Sequence, residues 1–155
     1  MQHTDHVDIE APRDRVFYWI DDDERVKKCI TGAIENRNIE VTEDRVGSTF
    51  HQVFEENGQL MEFDGIVTEY VKDERLGVHM KGKMFQLDVL YVLEDHDGGT
   101  RVTQHSKVVF NGFWKLVGPI MAFLCKKQGA KKLQDDFARL KDLCENDNEP
   151  LESAA

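Results

Sequence analysis

Residues 34–110 alternate apolar and polar side chains with a period of two, the repeat of a half-buried β-strand. Ile39 and Val41 alternate with Asn38 and Glu40, and Gly47 then opens a strand over residues 48–56 in which Phe50, Gln52 and Phe54 share a face. Asn57-Gly58 is a strong hairpin signal. The next strand, over residues 59–71, places Met61, Phe63, Gly65 and Val67 on one face. A charged turn at residues 72–75 leads into Leu76, Val78 and Met80, and Gly82 marks a turn or bulge. The most regular alternation follows in Phe85, Leu87, Val89, Tyr91 and Leu93, closed by Asp97-Gly98-Gly99. The last strand carries Val102, Gln104, Ser106 and Val108 on one face. Consecutive hairpins imply an antiparallel meander, and one-sided alternation implies that one face is buried.

The flanks of this meander read differently. Val7 and Ile9 suggest a short first strand, and Pro12 suits the first turn of a helix in which Val16, Phe17 and Ile20 share a face. The run Asp21-Asp22-Asp23-Glu24 ends that helix and caps a second one over residues 25–30. A metal site in this run is the weaker reading, because no EF-hand spacing follows. After Asn111-Gly112 the apolar repeat becomes three or four residues: Met121, Leu124 and Gln128, then Leu133, Phe137, Leu140 and Cys144. A continuous helix over residues 119–145 would be about 40 Å long, enough to cross the sheet. Gly118-Pro119 predicts a kink or a late start. Residues 1–146 read as a single domain and residues 147–155 as a disordered tail.

A chain of 155 residues with 40% hydrophobic content can close one core without a disulfide or metal. Its net charge of −10 makes nucleic acid a poor partner. Cys29, Cys125 and Cys144 lack ligand spacing and read as reduced thiols of a cytoplasmic protein. The first ten residues lack the features of a signal peptide, and the apolar stretch 113–125 is too short for stable membrane insertion.

One strand, two short helices, six hairpin-linked strands and one long helix form an informative order. In HVDIEAPRDRVFYWIDDDERVKKCI, VGSTFHQVFEENG, VTEYVKDERLG, DGGTRVTQHSKVVFNG and LQDDFARLKDLCE the chain resembles the START/Bet v 1-like (SRPBCC) superfamily, in its polyketide cyclase/dehydrase-like branch. The resemblance spans residues 7–145 and lies in apolar positions, turns and glycines, not in a catalytic signature. It implies an α+β helix-grip fold: a seven-stranded curved antiparallel sheet around a long C-terminal helix, with two short helices between strands 1 and 2. It also implies a cavity between sheet and helix that takes an apolar or amphipathic small molecule, such as a lipid or polyketide. No cofactor is implied.

The expected lining follows from strand parity. The sheet would contribute Phe50, Phe54, Phe63, Val67, Val78, Met80, Leu87, Val89 and Tyr91, and the helix Met121, Leu124 and Gln128. Gln52, Gln104, Ser106 and Gln128 interrupt the apolar stripes, and each needs a hydrogen-bond partner that a ligand, water or a neighbour can supply. The alternative is a filled core. His51, His79 and His105 have the opposite parity and should face solvent; a one-residue slip would turn them inward with Glu55 and Lys107 as acid/base candidates. Residues 113–117 read as the first helical turn against the sheet, or else as a cavity cover or membrane-docking segment. Lys126, Lys127, Lys131 and Lys132 form a local basic cluster; Lys131 and Lys132 precede Asp135 and Asp136 by four residues, as on a solvated, ion-paired helix face, and anionic headgroup binding is the alternative. These features favour a binding or carrier protein. The alternatives are a cyclase/dehydratase-like enzyme working through Tyr91, Gln52 and Gln104, and a protein-interaction module around Trp114.

Overall fold

The computed structural model describes residues 2–56, 58–124 and 126–147. Seven strands form one antiparallel sheet in the order β1-β7-β6-β5-β4-β3-β2. They are β1 (Gln2–Ile9), β2 (Ala33–Glu40), β3 (Thr49–Glu56), β4 (Gln59–Val71), β5 (Arg75–Gly82), β6 (Phe85–His96) and β7 (Gly99–Phe110). Two short helices, α1 (Arg13–Ile20) and α2 (Asp23–Cys29), join β1 to β2, and α3 (Trp114–Leu124) and α4 (Lys126–Asn146) follow the sheet. This is the expected helix-grip architecture. Asn57 of the predicted hairpin lies outside the described residues, but Glu56 pairs with Gln59 across it.

The meander exists because each hairpin can be only as long as its alternation. β6 and β7 pair from Phe85 with Phe110 through to His96 with Gly99, and Asp97 and Gly98 turn between them with positive φ. β1 adds to β7 with Ile9 opposite Thr100. It is longer than Val7 and Ile9 alone indicated, because its outer half is an exposed edge with no apolar stripe to reveal it.

Helix α4 covers the inward face. Phe137, Leu140 and Cys144, spaced by three and four residues, are buried, whereas the opposite side of the helix is charged. Each such apolar side chain contributes roughly 1.5–3 kcal/mol on full burial. The densest packing joins Ile9, Val16, Phe17, Leu93, Val102 and Leu140. There α1 wedges against β6 and β7, and Thr100 is buried with its hydroxyl donating to the Ala11 carbonyl at 2.7 Å.

Helix α2 begins as the acidic run foretold: Asp22 is the N-cap, its Oδ1 accepting from the backbone N–H groups of Glu24 and Arg25 at 3.0 and 3.1 Å. Helix α3 starts at Trp114, in keeping with residues 113–117 as the first helical turn and not with a late start at Gly118-Pro119, and Pro119 lies inside it. Gly118 lets it approach the Phe110 ring, which a Cβ at that position would overlap. Asp147, the first residue of the expected tail, is held: its carboxylate accepts from the Trp19 indole at 3.0 Å and pairs with Arg15 at 2.9 Å. Residues 148–155 lie outside the described residues.

Gly65 is required for a different reason. It lies directly opposite Phe50 on the inward face, and the Phe50 ring occupies the space of its missing Cβ. Gly65→Ala is expected to push that ring off its seat and cost about 1–3 kcal/mol, measured by urea denaturation. An unchanged midpoint would show that Phe50 has room to move.

Candidate functional site

The helices and the curved sheet do not close completely. Between α2, α4 and strands β2–β7 lies a cavity of about 240 Å³. Its sheet side is formed by Phe50, Val67, Leu76, Val78, Met80, Leu87 and Val89, and its roof by Ile20, Val26, Phe137 and Leu140. Ten expected residues meet here: Phe50, Gln52, Phe54, Val67, Val78, Met80, Leu87, Val89, Tyr91 and Gln104.

Five others do not. Phe63 is buried, but its ring packs between those of Phe54 and Phe85, at 5.8 and 5.4 Å between centroids, and does not line the cavity. Ser106 keeps inward parity, yet its hydroxyl donates to the His3 carbonyl at 3.4 Å. Met121 and Leu124 are exposed, because α3 leaves the sheet beyond Phe110 instead of running under it. Gln128 lines a separate cleft of about 230 Å³ with Phe54, Met61 and Lys131. The helical contribution therefore comes from Lys132, Asp136, Phe137 and Leu140, one to five turns further along than expected.

Parity on the sheet is as read. His51 contacts Asp64 at 2.9 Å, His79 contacts Asp88, and His105 contacts Thr4 at 3.1 Å, all on the outer face. Asp64 and Glu62 hold the His51 imidazole above its ordinary value by stabilising its charged form.

The polar rim was not anticipated. Asp21 accepts from the Tyr70 hydroxyl at 2.8 Å and from Arg45 Nη2 at 2.9 Å. Arg45 stacks near the Tyr70 ring, 4.9 Å from its centroid. Burial raises the Asp21 carboxyl above its ordinary value, and Tyr70 and Arg45 offset this only in part. Burial and the bond to Asp21 push the Tyr70 phenol up to about 12. Asp23, likewise raised by burial, accepts from the Asn38 backbone N–H at 3.1 Å. At the other end Asp136 accepts from the Thr31 N–H at 2.7 Å and pairs with Lys132 at 3.0 Å.

Inside this rim are polar atoms without partners. Asn36 Oδ1 and Arg45 Nε are buried and accept or donate no hydrogen bond. Among the described residues no side-chain hydrogen bond reaches Gln52, Tyr91 or Gln104. Burial pushes the Tyr91 phenol well above its ordinary value and the Cys29 thiol up to about 12, so both stay protonated. Asn36 and Asn38 were missed because β2 is an edge strand with register shifts on either side of them, which turn Ile34 and Ile39 outward instead. The signal for the acidic rim was present in residues 21–23, but only Asp22 serves as the cap.

Arg45→Met tests this rim. It leaves Asp21 half-buried with less compensation and is expected to cost about 1–3 kcal/mol near pH 7. A carboxyl whose folded pKa is raised destabilises the fold when charged, so the deficit should shrink as pH falls through the raised Asp21 value. Denaturant midpoints at neutral and mildly acidic pH check this; an equal deficit at both would assign Arg45 a packing role alone.

Many solved structures share the fold. Protein CV1439 from Chromobacterium violaceum superposes with a TM-score of 0.72 at 18% identity, covering 94% of this chain and 98% of that one. The Zhui aromatase/cyclase from Streptomyces sp. R1128 gives 0.72 at 8% identity, covering 94% and 96%. Ara h 8.0201 gives 0.67 at 14% identity, covering 93% and 97%. A search of curated proteins finds no match. The sequence profile of the Activator of Hsp90 ATPase homolog 1-like protein family matches residues 10–120. That span takes in the two short helices, the cavity-forming strands and the start of α3, and the chain belongs to this family within the SRPBCC superfamily.

Proposed function

We propose that the chain is a binding protein for a small, predominantly apolar molecule carrying neutral hydroxyl or carbonyl groups. One observation carries this reading: an apolar cavity is lined by three polar side chains, Gln52, Tyr91 and Gln104, that no side-chain hydrogen bond among the described residues reaches. Leaving such an atom unpaired costs about 1–3 kcal/mol, so a ligand that pairs it gains affinity. The Tyr91 hydroxyl and the Gln52 and Gln104 amides offer donors, and the amide oxygens accept; a hydroxyl on the ligand answers both kinds.

Size and charge narrow the class. A volume of about 240 Å³ lies just under the roughly 300–1,000 Å³ of pockets for drug-sized ligands, so a compact ring system or short chain fits better than a whole phospholipid. Four aspartates, Asp21, Asp22, Asp23 and Asp136, line the cavity against Arg45 and Lys132. This excess of negative charge disfavours a free carboxylate headgroup. The neighbouring Zhui structure is an aromatase/cyclase. A cyclase-type reaction in this cavity needs a group that removes a proton. Tyr91, kept protonated by burial, is suited to donate a hydrogen bond, and the carboxylates of Asp21, Asp23 and Asp136 are engaged by Arg45, Tyr70, Lys132 and backbone N–H groups.

Displacement of the neutral dye N-phenylnaphthylamine, read by fluorescence, tests the proposal alongside native mass spectrometry of the purified protein. Val89→Phe fills the cavity and is expected to abolish dye binding. Tyr91→Phe should weaken a hydroxyl- or carbonyl-bearing aromatic competitor by about threefold to tenfold while leaving the dye unaffected. Dye binding that survives Val89→Phe would place the binding elsewhere.

A further inference from the structure

Helix α3 shows an apolar face to solvent. Leu116, Ile120, Phe123 and Leu124 recur at four, three and one residues and lie on one side of the helix, with Phe113 just before it. Phe113 is 70% exposed, Leu116 77%, Phe123 76% and Leu124 75%. The opposite side is the docked one, where Gly118 meets the Phe110 ring. Large exposed apolar side chains gathered on one helix face mark an interaction surface.

The charge around this face identifies the occupant. The protein carries −10 overall, yet residues 113–132 contain five lysines and no acidic residue. The rest of the chain therefore carries −15, and the positive charge is concentrated beside the apolar face. Lys115, Lys126, Lys127 and Lys131 are exposed, whereas Lys132 is paired with Asp136. A second copy docking face to face through α3 would set five lysines against five, which opposes association. An exposed apolar helix face with one lysine on it and three more in the segment that follows matches instead an anionic bilayer surface, where apolar side chains sink into the headgroup boundary and ammonium groups meet phosphates.

We infer that α3, with Lys115, Lys126, Lys127 and Lys131, docks the protein on the surface of anionic lipid bilayers. The helix lies in the interface and does not cross it: among the described residues no helix is long and apolar enough to span a membrane. The inference is independent of what the cavity holds.

Flotation with phosphatidylcholine vesicles, with and without one third phosphatidylglycerol, tests it on the full chain. The protein should float with the anionic vesicles only, and less so as salt is raised. Leu116→Ser/Phe123→Ser should reduce the bound fraction at least tenfold. Lys126→Glu/Lys127→Glu should reduce binding by about thirtyfold or more, since each lysine near the surface contributes about fivefold. Circular dichroism and thermal midpoints confirm that these exposed substitutions leave the fold intact. Equal binding to neutral vesicles, or binding indifferent to both double variants, overturns the inference. Absence of flotation overturns it as well; a concentration-dependent dimer lost in Leu116→Ser/Phe123→Ser would then assign α3 to self-association. Neither result bears on dye binding in the cavity.

Discussion

A curved sheet has an inner face that one straight helix cannot cover evenly, and this mismatch governs the molecule. Where α1 joins α4 over β6 and β7, three elements meet and the interior is solid around Val16, Leu93 and Val102. Toward β3, β4 and β5 only α2 and the middle of α4 reach across, and the inward side chains stop short of one another. A small residue opposite a large ring shapes this part of the wall: the Phe50 ring sits in the space that a Cβ at Gly65 would take.

The same geometry explains why the charged groups cluster at the rim. A carboxylate deep in the cavity would lose its hydration without recompense. At the junction of α1, α2 and the loop before β3, Asp21 keeps a phenol, a guanidinium and some water contact. Its raised proton affinity measures how incomplete the compensation is. Arg45 is itself held in a left-handed backbone conformation, φ 74°, which aims its side chain across the opening.

Much of this was legible in the sequence because period two is a strong signal wherever one face is buried. The parity of Phe50, Val67, Val78, Met80, Leu87, Val89 and Tyr91 followed directly from it. Legibility failed where elements are not half-buried. The outer half of β1 is polar on both faces, and β2 is irregular at the sheet edge, so neither Asn36 nor the full length of β1 could be seen. Helix α3 failed in another way. Its apolar residues have helical spacing, which by itself says that a face exists, not what it faces. Met121 and Leu124 were assigned to the interior on spacing alone. The departure of α3 at Phe110 is a tertiary fact, set by the contact of Gly118 with a ring eight residues earlier.

The fastening of Asp147 ties the far end of α4 back to α1. Its carboxylate, only 9% exposed, ties the last turn of α4 to Trp19 and Arg15 of α1. The roof of the cavity is thus clamped from beyond its own helix, and trimming to residue 146 would unhook it. The far end of the roof is anchored by a side chain that itself belongs to neither helix.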